Sequence, residues 1–421
     1  MNLDLTDEET VALLRELDDI IDGDRYFLSP RIKTLRAIRA KIRPEPVRPP
    51  LPPLPKSYEP PRAIAVQRRR RGQAVPVRVV VVTMYESALE TGDHFGEFRL
   101  WVERLPLNER IPFPHGFRNL RYNPEKSVIG IVSGVGTARA AASIMALGMD
   151  PRFDLTRAYW LVAGIAGVNP LEASRPSLTQ SNRRGTDPYA PIGSAAWVEW
   201  VVDADLAFEI DAREIPAGWS TGYLPPGKTQ PYEEPVEADG ARWVYRLDPG
   251  LVAWAHWLTA DLRLNDPPTL REARSSYVDF PAAQALPVVL RGDEVSGSTF
   301  WHGALLNRRA IDWFAYWTGG RGRFVMAAME ETGTLQALSF LARAGRVDIG
   351  RVLVLRTGSN YTIPPPGMSA AESLTAMSLT QNPGYLPALD AAYLVGRKVV
   401  DEIIENWVVY GDTNPIVPLG S

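Results

Sequence analysis

Cysteine is absent from the 421-residue sequence, and histidine occurs only four times. Without cysteine the chain cannot form thiolate metal sites, iron–sulfur clusters or disulfides, and it has no cysteine nucleophile. The four histidines are scattered, and none forms a pair at the i, i+3 or i, i+4 spacing typical of metal ligands. The sequence therefore predicts no bound metal.

A strong positive charge is also missing. The formal net charge is −3 at pH 7, so no global basic field exists to attract nucleic acid, and nucleic acid is not predicted as a partner. Hydrophobic residues make up 45% of the chain and charged residues 23%. Both values match globular averages, which excludes wholesale disorder.

Long hydrophobic runs are the third absence. The best runs, Val79–Met84 and Tyr159–Val168, fall well short of the roughly 18 apolar residues that a membrane span needs. The stretch Met1–Thr10 is acidic and no apolar segment follows it, so no signal peptide is predicted. The sequence as written is that of a cytoplasmic protein, and it leaves the true compartment open.

The N-terminal fifth differs from the rest and divides into two parts. Residues 1–43 predict a helical hairpin, because Thr6 and Glu9 fit a capping box and Ser29-Pro30 fits a second helix start. Residues 44–74 predict an extended linker, with nine prolines in Pro44–Arg62 and four consecutive arginines at Arg68–Arg71. The arginines suit either an acidic partner or a solvated linker.

Residues 75–421 predict one α/β domain, in which strands alternate with helices along the chain. The expected strands are Val77–Met84, Phe98–Val102, Val128–Val132, Ala158–Val162, Ala195–Val202, Pro287–Leu290, Phe324–Ala327 and Val352–Leu355. The expected helices are Ala138–Leu147, Leu251–Leu262, Ala304–Trp317, Gly333–Ala344 and Ala388–Glu405. This pattern predicts a mixed, mostly parallel sheet flanked by helices, with a surface insertion at 175–191.

Ligands of such sheets bind at the carboxyl ends of the strands, so the residues that follow each strand are the informative ones. Gly134 and Gly136 open a helix and suit either an anion or a tight turn. The third glycine of the dinucleotide fingerprint is replaced by Arg139, and neither a P-loop nor a nucleophile elbow is present. No organic cofactor is therefore predicted.

Two further segments are candidates for a ligand site. Ser296–Trp301 places two aromatic residues beside small polar ones, which suits a flat heterocycle or an aromatic core. Met329-Glu330-Glu331 follows a predicted strand. A carboxylate there can accept two vicinal hydroxyls, as in a ribose, or can simply favour a helix N-terminus.

Several segments together resemble the purine nucleoside permease family over roughly residues 76–415. They include VRVVVVTMYE (77–86), GEFRLWVERLPL (96–107), the block 121–148, YWLVAGIAGVNP (159–170), SGSTFWHG (296–303), MAAMEETGTLQAL (326–338) and LRTGSNYTIPPPG (355–367). That family is similar to a divergent branch of the nucleoside phosphorylase superfamily. The resemblance implies a phosphorylase-like α/β fold.

The resemblance also implies site residues. The substrate-binding set is Gly134, Gly136, Thr137, Gly164, Gly167, Thr299, Phe300, Met329, Glu330, Ser359 and Asn360. Met329 and Glu330 match ribose-contacting residues, and Asn360 stands where relatives carry an acid. An amide can donate to a purine but cannot deliver a proton as a carboxylic acid can.

Three functions remain open from the sequence. The first is a purine nucleoside-binding protein that supports uptake together with a membrane transport component. The second is an enzyme that cleaves the N-glycosidic bond, with Asn360, Asp293 and Glu86 as catalytic candidates. Glu90 or Asp93 are alternative water activators, and Glu294 is an alternative acid. Hydrolysis is favoured over phosphorolysis, because Val162 and Ile165 stand where phosphorylases place Arg and Ser.

The third function is a partner-binding module formed by the N-terminal basic hairpin, beside a degenerate pocket. Relatives often carry an export signal where this chain has the hairpin and linker, which leaves its location open. Assembly with further copies of the chain is also open.

Overall fold

The computed structural model describes residues 6–23, 30–42, 74–86, 96–171, 190–233, 243–377 and 382–418. The predicted linker at 44–74 except Ala74, the candidates Glu90 and Asp93, and nearly all of the predicted insertion at 175–191 lie outside these ranges. In the part that is described, no helix combines the length and the apolar character needed to cross a bilayer.

The helices and strands are named in chain order. The helices are α1 Asp7–Gly23, α2 Pro30–Ile42, α3 Arg99–Arg104, α4 Thr137–Gly148, α5 Pro249–Thr259, α6 Pro268–Ser275, α7 Ala304–Thr318, α8 Glu331–Arg343, α9 Ala370–Ala376, α10 Tyr385–Glu405 and α11 Trp407–Tyr410. The strands are β1 Val75–Pro76, β2 Val79–Thr83, β3 Glu109–Ile111, β4 Leu120–Asn123, β5 Val128–Val132, β6 Phe153–Asp154, β7 Tyr159–Val168, β8 Ala195–Val198, β9 Trp200–Asp203, β10 Phe208–Glu209, β11 Tyr223–Leu224, β12 Val244–Arg246, β13 Val289–Arg291, β14 Asp293–Ser296, β15 Phe324–Ala328 and β16 Val352–Tyr361.

Twelve strands form one mixed sheet, in the order β12-β9-β14-β15-β7-β2-β5-β4-β3, with β16 paired to β7 and β8, and β13 paired to β8. The central pairings of β2 with β5, β2 with β7, and β7 with β16 are parallel. Every residue of β2, β5, β7 and β16 is buried, as expected for parallel strands covered on both faces. The predicted fold class is confirmed.

The strand pairings close into a ring. From β7 the pairing runs to β16 and β8, and from β9 it runs through β14 and β15 back to β7. Only Glu199 separates β8 from β9. The two ten-residue strands β7 and β16 therefore belong both to the open sheet and to the ring.

The segment Phe98–Val102 is not the predicted strand. Helix α3 begins at Arg99 because the Glu86 carboxylate accepts hydrogen bonds from the backbone N–H of Phe98 and Arg99, at 3.0 and 2.8 Å. An ion pair between Arg99 and Glu103 supports the helix at i, i+4 spacing. The apolar run alone would fit a strand. A helix forms instead because the Glu86 carboxylate accepts from backbone amides that the first turn of a helix leaves free.

Other predicted boundaries also shift. The predicted strand Ala195–Val202 is split at Glu199, because the backbone N–H groups of Glu199 and Trp200 donate to the Asp293 carboxylate at 3.1 and 2.9 Å. The predicted strand Ala158–Val162 does not end at Val162, since β7 continues to Val168. Likewise β16 continues past the predicted end at Leu355 to Tyr361.

The N-terminal hairpin has a small core of its own. Helices α1 and α2 bury Leu17, Ile21 and Ile32 against one another. The capping box is present, with the Thr6 N–H 2.9 Å from Glu9 Oε2 and the Glu9 N–H 3.3 Å from Thr6 Oγ1. The predicted helices are therefore confirmed, whereas the division into domains stays a prediction.

Removal of Met1–Ala74 tests that division. We expect residues 75–421 to keep a single cooperative unfolding transition, since Val75 already pairs with Phe153 and donates its N–H to Arg152 O at 2.9 Å. Thermal and denaturant unfolding followed by circular dichroism measures this. Loss of the cooperative transition in the shortened chain would show that the hairpin belongs to the core.

Candidate functional site

A cleft opens where the strand ends of the sheet meet the ring. About 270 Å³ of space, part of it open to solvent, is lined by residues from five segments: Met84, Tyr85, Glu97, Val135, Ile165, Met329 and Glu330. Tyr85 and Ile165 pack with Tyr385 and Leu389 of α10, and Val135 packs on the same group. One wall, formed by Tyr85, Ile165 and Val135, is therefore apolar and aromatic, and the cleft also carries the carboxyl groups of Glu97 and Glu330.

Glu330 is fixed at the cleft by three contacts. Its Oε2 accepts from Arg356 Nη2 at 2.8 Å and from the Met329 N–H at 3.3 Å, while its Oε1 accepts from the Gly136 N–H at 3.3 Å. Glu330 directly precedes α8 and follows β15 by one residue. The predicted ribose-binding pair Met329-Glu330 and the predicted glycine Gly136 are therefore brought together.

Arg356 is buried in the middle of β16, with 1% of its side chain exposed. Besides Glu330, its guanidinium contacts Glu331, and its Nε lies 3.7 Å from Glu294 Oε2. It also donates from Nη1 to Ile165 O at 3.0 Å. Burial works to lower the pKa of Arg356, but the surrounding glutamates outweigh burial and raise the pKa. The arginine is a permanent buried cation.

The carboxyl groups near Arg356 outnumber its single charge. Glu294 and Glu331 are both fully buried, and each lies beside the Arg356 guanidinium. Burial, followed by the charge of Glu331, raises the pKa of Glu294 well above its ordinary value. The buried surroundings of Glu294 therefore favour its protonated form.

Glu97 is the site residue that the sequence reasoning missed. Its Oε2 accepts from the backbone N–H of Met84 and Tyr85 at 2.8 and 3.2 Å, and its Oε1 accepts from the Ile165 N–H at 2.8 Å. Burial raises the pKa of Glu97 to about 7, with Arg356 working to lower it and Glu330 to raise it. The available signal was a carboxylate between Phe95 and Phe98 in an apolar stretch.

Two predicted glycines are required by the geometry. Gly136 has φ +91°, a backbone conformation that other residues rarely adopt. Gly164 lies in β7, where an added Cβ would come within 2.5 Å of Glu97 Oε1 and 2.7 Å of Arg356 Nη1. The acidic and basic groups thus converge over Gly164, and only glycine leaves them room.

The remaining predicted glycines lie at the edges of the site. Gly134 has φ +89° and packs beneath Phe117. Gly167 is near the end of β7, where an added Cβ would be 3.4 Å from Asn360 Nδ2. Neither residue is among those that line the cleft.

The segment after β14 meets the start of α4. Ser298 Oγ accepts from the Thr137 N–H at 3.0 Å, and Asp205 accepts from the Ser298 N–H at 2.8 and 2.9 Å. Thr299 is exposed and Phe300 is half-buried. The segment predicted to suit a flat heterocycle therefore lies beside Gly136 and Thr137.

Ser359 and Asn360 lie inside β16 and are buried. Asn360 Oδ1 accepts from Ser359 Oγ at 3.0 Å, and Asn360 Nδ2 donates to Tyr361 O at 3.1 Å. Ser359 Oγ is also 3.2 Å from Ala166 O. One N–H of the Asn360 amide is thus directed at the backbone, and its role toward a ligand stays a prediction.

Two catalytic candidates have structural roles instead. Asp293 lies at the start of β14, at the opposite end of that strand from Ser296, and its Oδ2 accepts from the Arg323 N–H at 2.7 Å. Glu86 caps α3, and its backbone carbonyl accepts from Arg118 Nη2 at 2.8 Å. Neither lines the cleft, because each carboxylate is turned onto backbone amides that the fold would otherwise leave unsatisfied.

Comparison with known proteins identifies the family. Residues 76–415 match the family described as purine nucleoside permease (NUP), and the chain belongs to that family. A purine nucleoside permease of Candida albicans is 28% identical over 318 residues, which cover 73% of this chain and 73% of that protein.

Two solved structures are similar at low sequence identity. Futalosine hydrolase of Helicobacter pylori is 15% identical with a TM-score of 0.43, covering 77% of this chain and 98% of that one. The 5'-methylthioadenosine/S-adenosyl homocysteine nucleosidase of the same organism is 15% identical with a TM-score of 0.42, covering 78% of this chain and 100% of that one.

The raised pKa of Glu97 predicts a pH dependence of stability. Between its ordinary value of 4.5 and its folded value of about 7, the folded chain binds more protons than the unfolded chain, so Glu97 lowers the free energy of unfolding as the pH rises. Glu97→Gln removes this titration. We expect the wild type to lose about 3 kcal/mol relative to Glu97→Gln across that window.

Urea unfolding at several pH values measures the difference. The matched control is Glu372→Gln, because the hydrogen bonds from Ser369 lower the pKa of Glu372 and reverse the sign of its contribution. Parallel pH profiles for the wild type and Glu97→Gln would contradict the assignment.

Proposed function

We propose that this chain binds purine nucleosides in the cleft and thereby supports nucleoside uptake together with a membrane transport component. The observation that carries the proposal is Glu330, a carboxylate held at the cleft by Arg356 and two backbone amides. A fixed carboxylate of this kind accepts the two vicinal hydroxyls of a ribose, with little entropy lost on binding. Membership of the purine nucleoside permease family supports the choice of ligand.

The base is proposed to lie along the apolar wall and toward β16. Tyr85 and Ile165 offer a flat apolar surface that suits a purine ring. Asn360 keeps one amide N–H and one carbonyl lone pair beyond its bonds to Tyr361 and Ser359. These groups match the donor and acceptor pattern at the edge of a purine. Homo-oligomer formation is a further prediction, to be tested by light scattering.

Hydrolysis of the N-glycosidic bond is the second candidate function. Glu97 and Glu330 line the same cleft, and a carboxyl group whose pKa is near 7 suits general acid–base chemistry at neutral pH. Phosphorolysis is disfavoured, because it needs a cationic clamp on a dianion. Arg356 is engaged by glutamates, while Arg139 is exposed and donates to Val135 O at 3.2 Å.

Replacement of Glu330 tests nucleoside binding. Loss of a charge-assisted bond to two hydroxyls is expected to weaken inosine binding by about tenfold or more in Glu330→Ala. Binding of free hypoxanthine is expected to change little, because the base does not contact Glu330 in the proposed arrangement. Isothermal titration calorimetry with both ligands measures the two effects.

The matched control for this test is Glu214→Ala, which removes an exposed glutamate and should leave both affinities unchanged. Equal losses for inosine and hypoxanthine in Glu330→Ala would reject the ribose assignment. Binding of neither ligand to the wild type would reject the proposed function itself.

A separate expectation concerns phosphate. The amides of Gly136, Thr137 and Ile165 already donate to Glu330, Ser298 and Glu97, so we expect phosphate neither to bind tightly nor to accelerate release of the base. Incubation of the wild type with inosine, with and without phosphate, followed by phosphorus NMR is the measurement. Protein-dependent formation of ribose 1-phosphate would refute the expectation.

A further inference from the structure

The Glu97 carboxylate is held as a bound oxyanion would be held. Three backbone N–H groups point at its two oxygens, from Met84, Tyr85 and Ile165, at 2.8, 3.2 and 2.8 Å. Carboxylates and other oxyanions in proteins are stabilised by converging amides of this kind. A positive charge is added by Arg356, whose Nη1 faces the same point above Gly164.

The donors are positioned by the sheet and do not depend on Glu97. Met84 and Tyr85 directly follow β2, and Ile165 lies within β7. Strands β2 and β7 pair in parallel, with Val82 opposite Val162. The three amides therefore converge because two neighbouring strands bring them there, and we expect them to stay in place when the Glu97 side chain is shortened.

The backbone of Glu97 is anchored separately from its side chain. Its N–H donates to Tyr85 O at 3.1 Å, and the next residue, Phe98, is fully buried and donates its N–H to Glu86. Shortening the side chain at Glu97 therefore leaves these anchors intact. The space that it vacates opens into the cleft, because Glu97 is one of the lining residues.

We propose that the cleft contains an oxyanion site that is filled by the chain's own Glu97 carboxylate, which keeps small anions from the amides of Met84, Tyr85 and Ile165. The site would take a formate, acetate or phosphate oxyanion in place of the carboxylate. This inference goes beyond the proposed function and does not depend on nucleoside binding. In this proposal a full-length side chain at Glu97 closes the anion site, and a shortened side chain opens it.

Glu97→Ala tests the proposal directly. At pH 8, about 100 mM sodium formate or sodium phosphate should raise the midpoint of thermal unfolding of Glu97→Ala by ~3 °C relative to sodium chloride of equal ionic strength. The wild type and Glu97→Gln should show no such rise, because a side chain of full length occupies the site in both. A rise in the unfolding midpoint with either anion, confined to Glu97→Ala, supports the site. The anion that gives the larger rise indicates the size of the site.

The contrary outcomes are equally defined. A folded Glu97→Ala protein that responds to neither anion would overturn the proposal, and so would an equal response in Glu97→Gln. If Glu97→Ala does not fold in chloride, recovery of a cooperative transition in formate or phosphate supports the site, and failure of both Glu97→Ala and Glu97→Ser to recover overturns it. Inosine binding to the wild type is measured separately, so loss of the nucleoside proposal is distinguished from loss of this one.

Discussion

A single guanidinium, that of Arg356, sets the constraint on which the centre of the molecule depends. A buried cation is costly unless it is paired and hydrogen-bonded. Arg356 meets that requirement with Glu330, Glu331 and Glu294, which come from the start of α8 and from β14. Because β16 carries the arginine, the strands that close the ring are connected by charge as well as by backbone hydrogen bonds. Removing the arginine would leave several buried carboxyl groups without a compensating positive charge.

The same arrangement explains why Glu330 can act as a fixed acceptor. A surface carboxylate would lose side-chain freedom on binding a sugar, whereas Glu330 has already lost it to Arg356 and to the amides of Met329 and Gly136. Deeper in the same cluster, burial raises the pKa of Glu294 well above its ordinary value. The interior of the cluster therefore favours a protonated carboxyl group, while Glu330 lines the cleft.

The sequence predicted well whatever depends on local pattern. The buried β-branched run at β2, the alanine-rich α4 and the pair Met329-Glu330 after β15 were all recognisable from residue order. Helix α3 was missed because its start depends on Glu86, a residue 13 positions from Arg99. Long-range capping of this kind leaves no trace in hydrophobic periodicity.

Other misses have the same origin. Strand β7 was predicted to end at Val162, yet it continues past Gly164, which allows the close approach of Glu97 and Arg356 inside a continuous strand. Asp293 and Glu97 are both buried acids in apolar surroundings, and only the fold decides which of them reaches the cleft. Their roles follow from the amides that each one meets, and those amides come from distant parts of the chain.

The absence of a side chain at Gly164 has a consequence for how this site diverges among relatives. Atoms of Met84, Glu97 and Arg356 lie within 2.1, 2.5 and 2.7 Å of the place where a Cβ would stand. A relative that carries any larger residue at this position must also have rearranged at least one of those three. We therefore expect the four positions to change together among relatives, so that covariation among them, more than identity at any one, would mark the chains that keep this centre.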